Sequence, residues 1–149
     1  MEKIKKMWPL LFALAALVYL ANPGMWRGAV KTEHIVEVTD GDFAAVVEAA
    51  DSWVLVDFWA PWCGPCRAMM PELDAVAADY AGEIKFVKVN IDENPALAER
   101  FHIQSIPHVY LFKEGKPVTG FLGYRGRDEI QRWIEAERAN YSSGSPSET

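Results

Sequence analysis

Cys63 and Cys66 are the only thiols of the 149-residue chain, and both stand in the stretch FWAPWCGPC, residues 58–66. Two thiols at this spacing can be half of a metal site, a structural disulfide or a redox couple. A structural zinc ion wants four tetrahedral ligands. Two cysteines, with His34, His102 and His108 not paired at finger spacing, do not supply them. Closing so short a loop removes little entropy from the unfolded chain, so a purely structural bridge would contribute little. The residue arithmetic therefore favours a redox couple, with no third thiol in the chain to scramble it.

That chemistry depends on where the sulfurs are held. Residues 53–59 (WVLVDFW) form a near-continuous apolar run with one acid inside it. Such a run reads as a strand buried on both faces in the middle of an α/β sheet. From residue 65 to residue 80, Met69, Leu73, Val76 and Tyr80 fall on one helical face, and Pro71 is expected to kink that helix. The motif lies at this strand-to-helix junction, which puts Cys63 at the helix N-terminus. Unpaired N–H groups and the helix dipole favour an anion there, so the Cys63 thiol is expected to ionise easily and to be the nucleophile. Cys66, one turn in, is the expected resolving thiol. Gly64 lets the backbone approach closely, and Pro65 has the φ of a first helical residue. Asp57, mid-strand between Val56 and Phe58, is either a desolvated acid with a raised pKa or a polar residue on a solvent-facing edge.

The remaining elements follow from period and punctuation. Residues 35–38 read as a short strand, and Thr39-Asp40 suit the N-cap of a helix carrying Phe43, Val46 and Val47 through residue 51. Residues 84–91 (IKFVKVNI) form a second strong strand. Residues 95–101 form a short helix that Asp92 or Asn94 could cap, with Pro95 in its first turn. Residues 109–112 and 118–122 pair as a hairpin about Glu114-Gly115, and residues 126–139 close the domain as a helix burying Ile130, Trp133 and Ile134. The predicted order, β-α-β-α-β-α-β-β-α, implies an α/β fold with a mixed sheet and helices on both faces.

Half of the residues are hydrophobic, enough for the core of one domain. The net charge is −6, and setting aside residues 1–28, with four basic residues and one acidic, leaves 11 basic and 20 acidic residues, or −9. An acidic domain without a basic stripe argues against nucleic acid as a partner. Residues 1–28 place Lys3, Lys5 and Lys6 before an uncharged, mostly apolar run, the layout of a secretory signal or an uncleaved anchor. No clean small-x-small cleavage site follows. As an anchor the segment would keep its lysines cytoplasmic and set Trp8 and Trp26 at the two interfaces, which is the favoured reading. Residues 29–139 are then the folded domain, and residues 140–149 (NYSSGSPSET) an expected disordered tail.

WCGPC at residues 62–66, extended upstream as VDFWAPWCGPC, together with KVNID at 88–92 and SIPHVYLFKEGK at 105–116, resembles the thioredoxin family in order and spacing over residues 35–139. The resemblance implies the thioredoxin fold and thiol–disulfide exchange, with no cofactor beyond the Cys63–Cys66 disulfide and no metal. By the same resemblance Asp57 lies beneath the active site and relays the proton of Cys66, Lys88 tunes Asp57, and the Ile106-Pro107 bond is cis. The Ile106 backbone would pair with an extended substrate, and Trp62, Ile106, Gly123 and Tyr124 would form a flat apolar rim that docks it. Two positions depart from the family's habit. His108 replaces the usual threonine after the proline, setting a titratable ring near the sulfurs or facing solvent, and Tyr124 is bulkier than the common small residue.

Exchange runs in either direction, and the Gly64-Pro65 dipeptide resembles that of the reducing members. The expected function is reduction of disulfides in exported proteins by a monomer, at the periplasmic or outer face of a cell membrane. Cytosolic thioredoxin reductase cannot reach that compartment, so a membrane-embedded thiol carrier is the expected electron donor. Neither the sheet insert nor the acidic residue of the cytochrome-maturation members is present, which favours general clients. The alternatives are a disulfide oxidase or isomerase, and a tethered module that binds partners irrespective of redox state.

Overall fold

The computed structural model describes residues 32–144. Five strands form one sheet in the order β1-β3-β2-β4-β5: β1 Ile35–Glu37, β2 Trp53–Trp59, β3 Ile84–Asn90, β4 His108–Lys113 and β5 Lys116–Leu122. The first three run parallel to one another, β4 is antiparallel to β2, and β5 is antiparallel to β4. The apolar run of β2 is accordingly central, and every residue after Trp53 in it is buried.

Strand alternation divides the core in two. On one face Leu55, Trp59, Phe86, Val109 and Leu111 pack beneath helices α1 (Gly64–Asp79) and α3 (Arg127–Ser143), with Met69, Met70, Leu73, Ile130 and Ile134. On the other face Val54, Val56, Phe58, Val87 and Val89 meet Phe43 and Val47 of a helical turn between β1 and β2, and Leu97 of helix α2 (Pro95–Arg100). Phe101 joins this second layer, with its ring 5.3 Å from Phe43 and 5.6 Å from Phe58.

The element order is the expected one, and the departures are local. The helix expected through residue 51 is a single π-helical turn, Ala44–Glu48, because Ala49 N–H returns to the Ala44 carbonyl at 2.8 Å. Asn94 is at the N-cap of α2 but does not cap it with its side chain. Asp40, more than fifty residues earlier, accepts from Leu97 N at 3.2 Å, and Asn94 Oδ1 accepts from Asp40 N at 2.9 Å. The closing helix runs to Ser143, past residue 139, and Gly144 ends it at φ 72°. Its added turn carries Tyr141 edge-on to Trp53, with centroids 5.2 Å apart. The N-terminal segment 1–28 and residues 145–149 lie outside the described residues. Among the described residues no helix is long and apolar enough to cross a membrane.

Candidate active site

Cys63 is the N-cap of α1, in extended backbone conformation, and its sulfur accepts from Cys66 N at 3.2 Å. A capping position is normally filled by an oxygen; here a sulfur takes the free N–H, which favours the anionic form when the thiol is free. Gly64 and Pro65 supply the first turn, and Cys66 enters the helix interior. The two cysteines form a disulfide, with Cα atoms 5.3 Å apart. Cys63 is 5% exposed and Cys66 fully buried, so an external sulfur can reach only the first.

Three segments converge on Cys63. The Ile106-Pro107 peptide bond is cis, and the Ile106 carbonyl oxygen lies 3.8 Å from Cys63 Sγ. Gly123, at φ 86°, donates its N–H to the Pro107 carbonyl at 2.9 Å, which sets Tyr124 beside the proline loop. Trp62 is 68% exposed, and its indole N–H donates to Asp92 Oδ2 at 2.9 Å. Trp62, Leu122 and Tyr124 are exposed large apolar side chains on the segments that bound the disulfide, and Ile106 is half-buried among them. Trp59 by contrast is core.

Asp57 is fully buried on the face of the sheet that carries Cys66, and neither of its carboxyl oxygens has a hydrogen-bond partner among the described residues. Its alternative reading, as an edge position facing solvent, is thereby excluded. Burial pushes its pKa from 3.8 to about 7, with the charge of Lys88 opposing the rise. Lys88 is the register partner of Asp57 on β3. Its Nζ lies 5.1 Å from the Trp59 ring centroid and 4.0 Å from Glu37 Oε2.

His108 does not approach the sulfurs. Alternation along β4 puts Val109 and Leu111 in the layer with the cysteines and sends His108 and Tyr110 to the opposite face. Its ring stacks on Tyr110, centroids 4.4 Å apart, and burial lowers its pKa. Sequence reasoning missed Asp92, the partner of Trp62, and Glu37, the partner of Lys88. Glu37 had one signal, an acid at the inward position two residues after buried Ile35, but reading it required the strand register. Among the described residues no three His, Cys, Asp or Glu side chains are grouped to hold a metal ion.

A disulfide at a helix N-terminus, with one sulfur reachable and a buried acid beneath, can exchange with an external thiol or disulfide. The chain carries thiol–disulfide oxidoreductase chemistry of the thioredoxin type. Residues 34–136 match the family model Thioredoxin. Curated thioredoxins of Staphylococcus aureus, among them those of strains Mu50 / ATCC 700699 and MW2, are 44% identical over 101 residues, covering 68% of this chain and 95% of theirs. With its mixed five-stranded sheet and its Cys63–Cys66 disulfide at the N-terminus of α1, the chain belongs to the thioredoxin family.

Proposed function

We propose that this protein reduces disulfides of exported proteins, acting as a monomer tethered to the outer face of a cell membrane by its N-terminal segment. The observation that carries the exchange step is the Cys63 sulfur: helix-capping, reachable, and 3.8 Å from the Ile106 carbonyl, where an extended substrate can pair with the backbone. In the reduced protein the Cys63 thiolate attacks one sulfur of a substrate disulfide. The Cys63–substrate bond forms, the substrate S–S bond breaks, and the departing thiolate takes a proton. Cys66 then loses its proton to the Asp57 carboxylate, whose basicity burial has raised, with Lys88 tuning it. The Cys66 thiolate attacks Cys63, the second substrate thiol leaves, and two electrons have passed from protein to substrate.

Trp62, Ile106, Gly123 and Tyr124 form the docking rim, with Tyr124 restricting which partners fit. Gly64-Pro65 supports the reducing direction, by resemblance to the reducing members of the family. The basic-then-apolar segment 1–28 supports export and anchoring, and in an oxidising compartment a membrane dithiol carrier re-reduces Cys66–Cys63. The deciding measurement is the reduction potential of the pair together with its redox state in cells. A strongly reducing potential and a mostly reduced pool are expected; a high potential with a mostly oxidised pool overturns the reductase reading. Cys63→Ser should abolish disulfide reductase turnover, and retained turnover removes Cys63 as nucleophile.

A further inference from the structure

The sheet register draws Glu37 into the active-site machinery. Glu37 pairs with Lys88 across β1 and β3, and Lys88 pairs with Asp57 across β3 and β2. Registered residues on parallel neighbours project to the same face. Ile35, Phe86 and Leu55, two residues before each of the three, all belong to the core beneath α1. Glu37, Lys88 and Asp57 therefore form one row under α1, running inward from the edge of the sheet. Exposure falls along it: the Glu37 side chain is 46% exposed, that of Lys88 7%, and Asp57 is wholly buried.

One ammonium thus stands between two carboxylates. Lys88 Nζ is 4.0 Å from Glu37 Oε2, and its charge is also the attraction that opposes desolvation of Asp57. An ammonium drawn toward Glu37 gives less to Asp57. The charge of Glu37 also repels that of Asp57 from two strands away, about 10 Å. Both effects act in the same direction. We propose that Glu37 is a positioning residue for the exchange reaction: by holding Lys88 at the open end of the row, it keeps the Asp57 carboxyl basic enough to take the Cys66 proton. The inference rests on the reading of Asp57 as that proton's acceptor.

From α1 come Cys63 at the N-cap and buried Cys66, both in the core layer on Asp57's face of the sheet. Asp74 accepts from the backbone N–H groups of Glu33 and His34 and lies 3.5 Å from the His34 ring. Glu72 and Asp79 are engaged by Arg127 of α3, and Arg67 is exposed in the first turn. Asp92, after β3, accepts from Trp62. From β4 the facing residues are apolar, Val109 and Leu111.

The test is a carbon-13 titration of the Asp57 carboxyl in the full oxidised chain, held in detergent micelles at low ionic strength, where the disulfide keeps both thiols silent. Glu37→Gln should lower the Asp57 midpoint by about 0.5–1 pH unit, a threefold to tenfold loss of proton affinity. Glu37→Asp, which keeps the charge, should lie nearer the parent. Glu37 is half-exposed on an edge strand, so both variants should fold. Identical midpoints in parent and Glu37→Gln overturn the proposal, including the case where only the melting temperature falls. The underlying reading is tested apart from this: pH–rate profiles of parent and Asp57→Asn that superimpose would remove Asp57 as proton acceptor, whatever the titration shows.

Discussion

Asp57 gives up stability to the active site. At its ordinary pKa a carboxyl releases its proton well below neutrality, but the folded protein holds the Asp57 proton up to about pH 7. Between those two values the folded state binds a proton that the unfolded chain has lost, so stability falls as pH rises through the window. A raised value of this size corresponds to at most about 4 kcal/mol at pH 8, on 1.36 kcal/mol per unit. Asp57→Asn removes the buried charge and keeps the shape. Urea melts of the oxidised protein should show parent and variant nearly equal near pH 4 and the variant more stable at pH 8, by roughly 1–4 kcal/mol. An advantage that does not grow with pH would contradict the burial of an ionised carboxylate. On the proposed mechanism the same substitution should slow reduction of substrates, since Cys66 would lose its proton acceptor. Stability and turnover are expected to move in opposite directions at this one residue.

Elements hold the site by contacts that join distant parts of the chain. The β4–β5 hairpin turns through Glu114 at φ 53° and Gly115 at φ 73°, both left-handed, as a two-residue turn of type I′ requires. A Cβ on Gly115 would also overlap the backbone carbonyl of Glu48, so this turn is wedged against the end of the π-helical turn. Gly115→Ala should destabilise by about 2–4 kcal/mol, adding left-handed strain to a backbone clash. Chemical melts would read it, and a loss below about 0.5 kcal/mol, the surface norm, would mean that the hairpin can move aside. This element also shows what the sequence made legible. Glu114-Gly115 between two β-prone runs is local information and located the turn, as apolar runs located β2 and β3 and as Cys63, Gly64 and Pro65 located the start of α1. Long-range information was hidden. The Asp40 cap on α2, the π-helical return at Ala49, the contact of Tyr141 with Trp53, and the Glu37–Lys88 pair depend on which segments meet across the fold. Sequence alone leaves His108 between two settings for a related reason: adjacency to the cis-proline allows nearness to sulfur, and strand alternation turns its ring to the other face, against Tyr110.

At the scale of the whole molecule, the proposed function turns on the supply of electrons. In the proposed reductase each substrate disulfide reduced leaves Cys63 and Cys66 oxidised, so turnover requires a dithiol donor that reaches Cys63. A free domain in an oxidising compartment would meet oxidants in bulk, and its pair would drift to the disulfide. Tethering changes the competition, because a donor in the same membrane meets the domain at an effective concentration fixed by the linker rather than by diffusion. On the proposed anchoring, little linker separates bilayer from domain, since the apolar run precedes residue 29 and β1 begins at Ile35. The domain should therefore stay close to the bilayer. In cells the full chain should fractionate with membranes and keep Cys63 and Cys66 mostly reduced. Replacing residues 1–28 with an efficiently cleaved signal should release the domain and shift the pair toward the disulfide at equal expression. Trapping free thiols in acid and sizing the products reads both states. Equal reduction of the anchored and released forms would show that the donor reaches the domain from solution, and the membrane carrier would then be the wrong source.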